Sequence, residues 1–154
     1  MTPDAPDPDA PDPDAPATGL ADMICFDLYS ASRAMTGVYR PLLEPLGLTY
    51  PQYLVVVALH ERGEVSVREL VAALDLDYGT VSPLLKRLQQ NGVVDRRRSE
   101  SDERTVLVQL TAAGRDLHAR TRHVPDAVRA ALGLDVRQTE ALHHVLRSIT
   151  ERNA

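Results

Sequence analysis

From Leu20 onward, apolar residues recur every three or four positions. Leu20, Ile24, Leu28, Ala31 and Met35 form one stripe of a first helix. Thr18 is placed to cap its start, and the Pro41 and Pro45 region kinks or ends it before Gly47. The run YLVVVALH predicts a second helix from Tyr50 to Gly63, with Pro51 suited to its first turn. Val65 predicts a short strand. Ser66 stands three residues before Glu69, a capping box that opens the helix VRELVAAL. After a break at Asp75–Leu76, Asp77 caps a helix from Tyr78 to Gln90, closed by Asn91–Gly92. Pro83 falls late for a first-turn proline, which leaves the start of that helix open.

Two β-like runs follow, Val93–Arg98 and Arg104–Leu110, joined by the charged turn SESDE. Val106, Val108 and Leu110 share one strand face by period two and read as core. Thr111 caps the helical run AAGRDLHARTR, which is interrupted near Pro125. A last helix from about Asp135 places Val136, Leu142, Val145, Leu146 and Ile149 on roughly one side. No internal repeat is visible.

Helix, turn, helix and then a two-stranded ribbon is the winged helix-turn-helix order. The expected fold is therefore mainly α with a small β-wing. In that architecture the second helix of the pair enters the major groove, and the ribbon tip touches the backbone or minor groove. Thr80, Ser82, Lys86 and Arg87 on that helix are hydroxyls and cations suited to base edges and phosphates. Arg96, Arg97, Arg98 and Arg104 put a basic cluster on the ribbon; any one alone reads as an ordinary solvated charge. The first helix and the last two carry apolar stripes that one winged-helix head cannot cover. The expected assembly is a homodimer formed by the N- and C-terminal helices.

Composition adds a tail and redistributes the charge. Residues 2–16 read TPDAPDPDAPDPDAP, with six prolines and nothing apolar to bury, so residues 1–17 are expected to be a disordered tail. Residues 18–154 then form one domain, with a DNA-binding part at about 50–112 and a dimerisation part at about 18–48 and 112–154. The net charge of −5 argues against a polyanion partner until the tail's five aspartates are set aside, after which 17 basic residues face 17 acidic ones. Local clusters then decide where DNA binds. No run approaches the roughly 18 apolar residues that span a membrane, and the N-terminus has no signal-peptide pattern. The expected compartment is the cytoplasm.

The segment D102-E-R-T-V-L-V-Q-L-T111 fits the pattern Asp-x-Arg-x-x-x-Val-x-Leu-Thr. That is the wing signature of the multiple antibiotic resistance regulator (MarR) family, which the chain resembles from about Cys25 to its C-terminus. The resemblance implies that Asp102 pairs with and orients Arg104, the wing-tip arginine of the minor groove. Within that family, CFDLYSASRAMTGVYRPLLEPLGLTYPQYLVV and LDYGTVSPLLKRLQQNGVV resemble the organic hydroperoxide resistance regulators of the one-cysteine type. In that subgroup a first-helix cysteine is oxidised by organic hydroperoxide, and the dimer leaves its operator. The reactive position falls on Cys25 and the associated phenols on Tyr29, Tyr39 and Tyr50. Tyr78 departs from the pattern, which has a small serine-like residue there.

The residues themselves bear on this chemistry. Cys25 is the only cysteine, so no internal disulfide framework is available. Five of the six aromatics, Phe26, Tyr29, Tyr39, Tyr50 and Tyr53, lie within the 28 residues after it. Hydroxyl donors stabilise a thiolate, although a lone cysteine is equally an inert apolar side chain. Tyr29, four residues on, shares a helical face with Cys25. Tyr39 returns to nearly that face about 21 Å along the axis, and so reaches its own Cys25 only if the chain bends back, whereas a two-fold partner with an antiparallel first helix would bring it to the opposite Cys25. Oxidation would give a sulfenic acid, which without a second cysteine must either react with a low-molecular-weight thiol to give a mixed disulfide or overoxidise. Phe26, Met23 and Leu54 favour an alkyl or lipid hydroperoxide over a small polar oxidant.

Two other functions fit part of the pattern. One is a MarR-type regulator that binds a small phenolic or aromatic ligand, with Cys25 incidental. The other is a thiol peroxidase, which normally uses a resolving cysteine or recycling partner and has no use for a wing. His60, His118, His123, His143 and His144 show no metal-ligand spacing, and no phosphate loop or hydrolase motif appears. The expectation is no metal, no cofactor and no enzymatic activity.

Overall fold

The computed structural model describes residues 19–153, and the expected tail and the Thr18 cap lie outside them. The chain divides into two compact units, Met1–Met35 and Thr36–Ala154.

In the first unit, a 3-10 turn at Leu20–Asp22 is followed by an extended Met23. Helix α1 (Ile24–Leu43) begins here and runs on into the second unit. The expected stripe is present, but Leu20, Ile24 and Leu28 are exposed, with Ile24 at 70%.

In the second unit, α1 continues through Pro41 to Leu43, so the proline does not end it. A 3-10 turn at Glu44–Leu46 and a left-handed Gly47 make the stop. Helix α2 (Tyr50–Arg62) opens on a box in which Thr49 N–H donates to the Gln52 side chain. Tyr53, Val55, Val56, Ala58 and Leu59 are all buried, which makes α2 the central helix. β1 (Val65–Ser66) leads into α3 (Val67–Leu74), where the Glu69 amide donates to Ser66 Oγ and the Ser66 amide to Glu69 Oε2. The turn to α4 (Tyr78–Gln90) passes through Asp75 in the left-handed region (φ 52°). Pro83 lies inside α4, so the Asp77 cap sets its start. Val81, Leu85 and Leu88, at spacings of four and three, are its buried face.

β2 (Val94–Arg98) and β3 (Val106–Leu110) pair antiparallel, with Arg96 opposite Val108. The pairing stops short of Val93 and of Arg104–Thr105, which the alternation had assigned to strand. β1 pairs with the other edge of β3. β3 is thus the middle strand of the order β1-β3-β2. Helices α5 (Ala112–Arg120), α6 (Val124–Leu132) and α7 (Val136–Asn153) complete the unit. Thr111 caps α5 by accepting from the Gly114 amide, and its hydroxyl donates to the Gly92 carbonyl at 2.6 Å. A Cβ on Gly114 would overlap the Val93 carbonyl, so only glycine lets α5 start this close to the root of β2. The α7 face is exposed at Val136, Leu142, Val145 and Leu146.

Candidate functional site

The helix pair α3–α4 and the β2–β3 wing present the predicted DNA-reading residues. Asp77 fixes the α4 terminus by accepting from the Thr80 amide at 2.8 Å and the Thr80 hydroxyl at 2.6 Å. These bonds hold the Asp77 carboxyl below its usual range. Thr80 is therefore first a cap partner. Ser82 is half-buried, whereas Lys86 and Arg87 are exposed. Tyr78 is 58% exposed at the first position of the helix.

In the wing, Asp102 acts on Arg104 through the main chain. Its carboxylate accepts from the Arg104 amide at 3.0 Å and the Thr105 hydroxyl at 2.8 Å. Those bonds hold the Asp102 carboxyl below its usual range. The expected side-chain pair is replaced by a tight turn that leaves the Arg104 guanidinium without an ion pair among the described residues. The ribbon arginines also separate by role. Arg97 is held by both oxygens of Glu64, at 2.8 and 2.7 Å. Arg98 donates to the Glu103 carbonyl at 3.3 Å across the tip. Arg96 is half-buried, and its Nε has no partner among the described residues. The basic cluster thus reduces to Arg104, with Arg98 at its base.

In the first unit, Cys25 is exposed in the first turn of α1. No hydrogen bond joins Cys25 and Tyr29 among the described residues. Tyr29 OH accepts from Arg33 at 3.1 Å, and that guanidinium stands 5.7 Å from the Tyr29 ring centroid.

In the second unit, Tyr39 packs against Tyr50 and Tyr53, with ring centroids 4.5 and 5.9 Å apart. Burial pushes all three phenols up, and the neighbouring phenols add to this for Tyr39 and Tyr53. All three remain proton donors. Tyr53 joins this cluster although spacing from Cys25 gave it no role; its signal was the i,i+3 relation to Tyr50. Thr36, Arg40, Gly47 and Tyr50 help line a cleft of about 530 Å³. His60 and His118 stack at 3.7 Å between α2 and α5, a pairing that their separation of 58 positions concealed. Burial, then His60 and Arg122, push His118 below the usual histidine range against an opposing pull from Glu61. No cluster of three or more metal-binding side chains occurs among the described residues. No single helix among them is long and apolar enough to cross a membrane.

A capped helix pair with a cationic wing defines a winged-helix DNA-binding regulator. The family of transcriptional regulators described as SarA/Rot matches residues 37–120. The organic hydroperoxide resistance transcriptional regulator of Bacillus subtilis (strain 168) is 40% identical over 138 residues, covering 87% of this chain and 94% of its own. A structure of reduced AbfR bound to DNA superposes with a TM-score of 0.71 at 32% identity, covering 86% of this chain and 93% of that one. A mutant MarR from E. coli complexed with operator DNA, at 22% identity and a TM-score of 0.78, covers 86% and 99% and is a likeness of fold. The chain belongs to the MarR-like winged-helix family of transcriptional regulators.

Proposed function

We propose that the protein is a homodimeric repressor that releases its operator when an organic hydroperoxide oxidises Cys25. The observation that carries this is the exposed Cys25 in the first turn of α1, in a chain 40% identical to a hydroperoxide resistance regulator. AbfR has been seen on DNA both reduced and overoxidized, so a protein of this fold exists in two redox states. The protonated phenols of Tyr39 and Tyr50, brought by a second copy of the chain, serve as donors to the thiolate. The thiolate attacks the terminal peroxide oxygen, the O–O bond breaks, and the alkoxide leaves as an alcohol after taking a proton. The resulting sulfenic acid condenses with a small thiol to give a mixed disulfide and water. Arg104 enters the minor groove and Lys86 and Arg87 face the major groove, joined by Thr80, Ser82 and Arg98. The exposed apolar faces of α1 and α7 form the dimer contact.

Intact mass after cumene hydroperoxide and a small thiol, read beside an operator shift, tests this. One added thiol on Cys25 accompanied by release is expected. Modified protein that keeps its operator would sink the redox reading. The 530 Å³ cleft beside Tyr50 favours a second reading, release by a small aromatic ligand, in which Cys25→Ser still responds to its effector.

A further inference from the structure

Arg68 and Tyr78, to which neither the base-reading assignment nor the thiol chemistry gives a role, meet the wing tip at Arg104 in one groove. Ser66 and Arg68 at the start of α3, Tyr78 at the start of α4, and Arg104 to Val106 line a cleft of about 240 Å³. The two helix termini have little to offer an anion there. The Glu69 and Thr80 amides already bond to Ser66 Oγ and Asp77 Oδ1, and the Glu69 and Asp77 carboxylates stand beside them. Asp102 is occupied by the Arg104 amide and the Thr105 hydroxyl. What remains for an anion is the Arg68 guanidinium and the Tyr78 hydroxyl, with Arg104 on the wing wall. Arg68 has no ion pair among the described residues, and Tyr78 holds a large ring in solvent with its polar tip free. Tyrosine and arginine in this combination suit a phosphodiester: a cation for the charge, a hydroxyl donor, and an apolar face for the sugar.

We propose that Arg68 and Tyr78 clamp one backbone phosphate of the operator, between the recognition helix and the groove that Arg104 enters. The inference rests on the DNA-binding reading and adds a positioning contact to it. Such a contact fixes the register of the head without reading sequence. It also assigns a use to Tyr78, whose bulk the capping of α4 does not require.

The test is a scan of operators in which single phosphates are replaced by neutral methylphosphonates, against wild type, Arg68→Ala, Arg68→Gln and Tyr78→Phe. Wild type is expected to lose about tenfold in affinity at one phosphate per half-site. Either Arg68 variant should weaken the unmodified operator and random DNA alike, and lower the salt slope by about 1 per head. It should also be indifferent to that one methylphosphonate. Tyr78→Phe should lose several-fold on both DNAs with an unchanged salt slope. An Arg68 variant that keeps the wild-type penalty at every phosphate overturns the clamp, as does Tyr78→Phe binding like wild type. Wild type that binds neither DNA would instead overturn the DNA-binding reading. Arg68→Gln keeps a polar side chain that suits a helix, without the charge, should Arg68→Ala fail to fold.

Discussion

The DNA-reading head and the N-terminal segment treat their functional groups in opposite ways. In the head, the carboxylates of Asp77, Glu69 and Asp102 each accept from amides or hydroxyls at 2.6–3.0 Å within a few residues of themselves. Its apolar residues Val81, Leu85, Leu88 and Val108 are fully buried. In the segment that carries Cys25, the thiol is exposed, Tyr29 turns to Arg33, and Leu20, Ile24 and Leu28 face outward. The head is finished within one chain. The segment leaves its apolar residues exposed, which is why the proposed assembly is placed there.

The strongest way to break that contrast is Cys25→Ser. Serine nearly matches the thiol in size and cannot form a sulfenic acid. Operator binding is expected to stay at the wild-type level while release by organic hydroperoxide disappears. A Cys25→Ser protein that leaves the operator as fast as wild type would remove the segment from the mechanism. Arg104→Ala probes the other side and should lower affinity about ten- to a hundredfold on any DNA, measured by fluorescence anisotropy. The peroxide response of what still binds should be unchanged. Normal operator affinity would mean that the wing does not reach DNA.

Tyr39→Phe and Tyr50→Phe sharpen the comparison. On the proposed mechanism each removes one donor to the thiolate at about 1 kcal/mol, or somewhat more for a charged acceptor. The rate of thiol oxidation should fall several-fold with operator affinity intact. Equal rates in stopped-flow oxidation would reduce these tyrosines to packing. The smallest effect concerns pH and lies where α2 and α5 meet. Because His118 is pushed down, the folded chain binds fewer protons there than the unfolded one. The stability from a neutral His118 is complete above its ordinary value of 6.5 and declines as pH falls below it. The urea midpoint should drop modestly from about pH 7.5 to pH 5.5, and His118→Phe should flatten the drop. An identical slope in the variant would show that the stacked pair is inert.

Local signals made most of the head legible in the sequence. Ser66 with Glu69, Asp77 and Thr111 are caps whose partners lie three residues away, and all three form as expected. Alternation at Val106–Leu110 likewise located the wing. Pairings between distant segments were not legible, because periodicity carries no register. Glu64 with Arg97, His60 with His118, and β1 with β3 are of this kind. The Asp102–Arg104 relation was half right: the aspartate organises the arginine, but through its amide. A two-residue spacing in a tight turn brings a carboxylate to the backbone N–H before it reaches the side chain. The stripe on α1 was legible, but its burial was not, since periodicity does not say who supplies the other surface.

The Thr111 junction has a consequence for the length of the wing. Its hydroxyl and amide fasten the exit of β3 to the Gly92 and Val93 carbonyls at the entrance to β2, at 2.6 and 3.1 Å. Both ends of the ribbon are therefore tied at one knot, on the side away from the tip. A change of length at residues 99–105 leaves that knot in place, and loop closure costs only a few tenths of a kcal/mol for a few extra residues. The wing is in effect a replaceable tip on a fixed mount. Reach along the groove can change by insertion or grafting there while the fold of the head stays as it is.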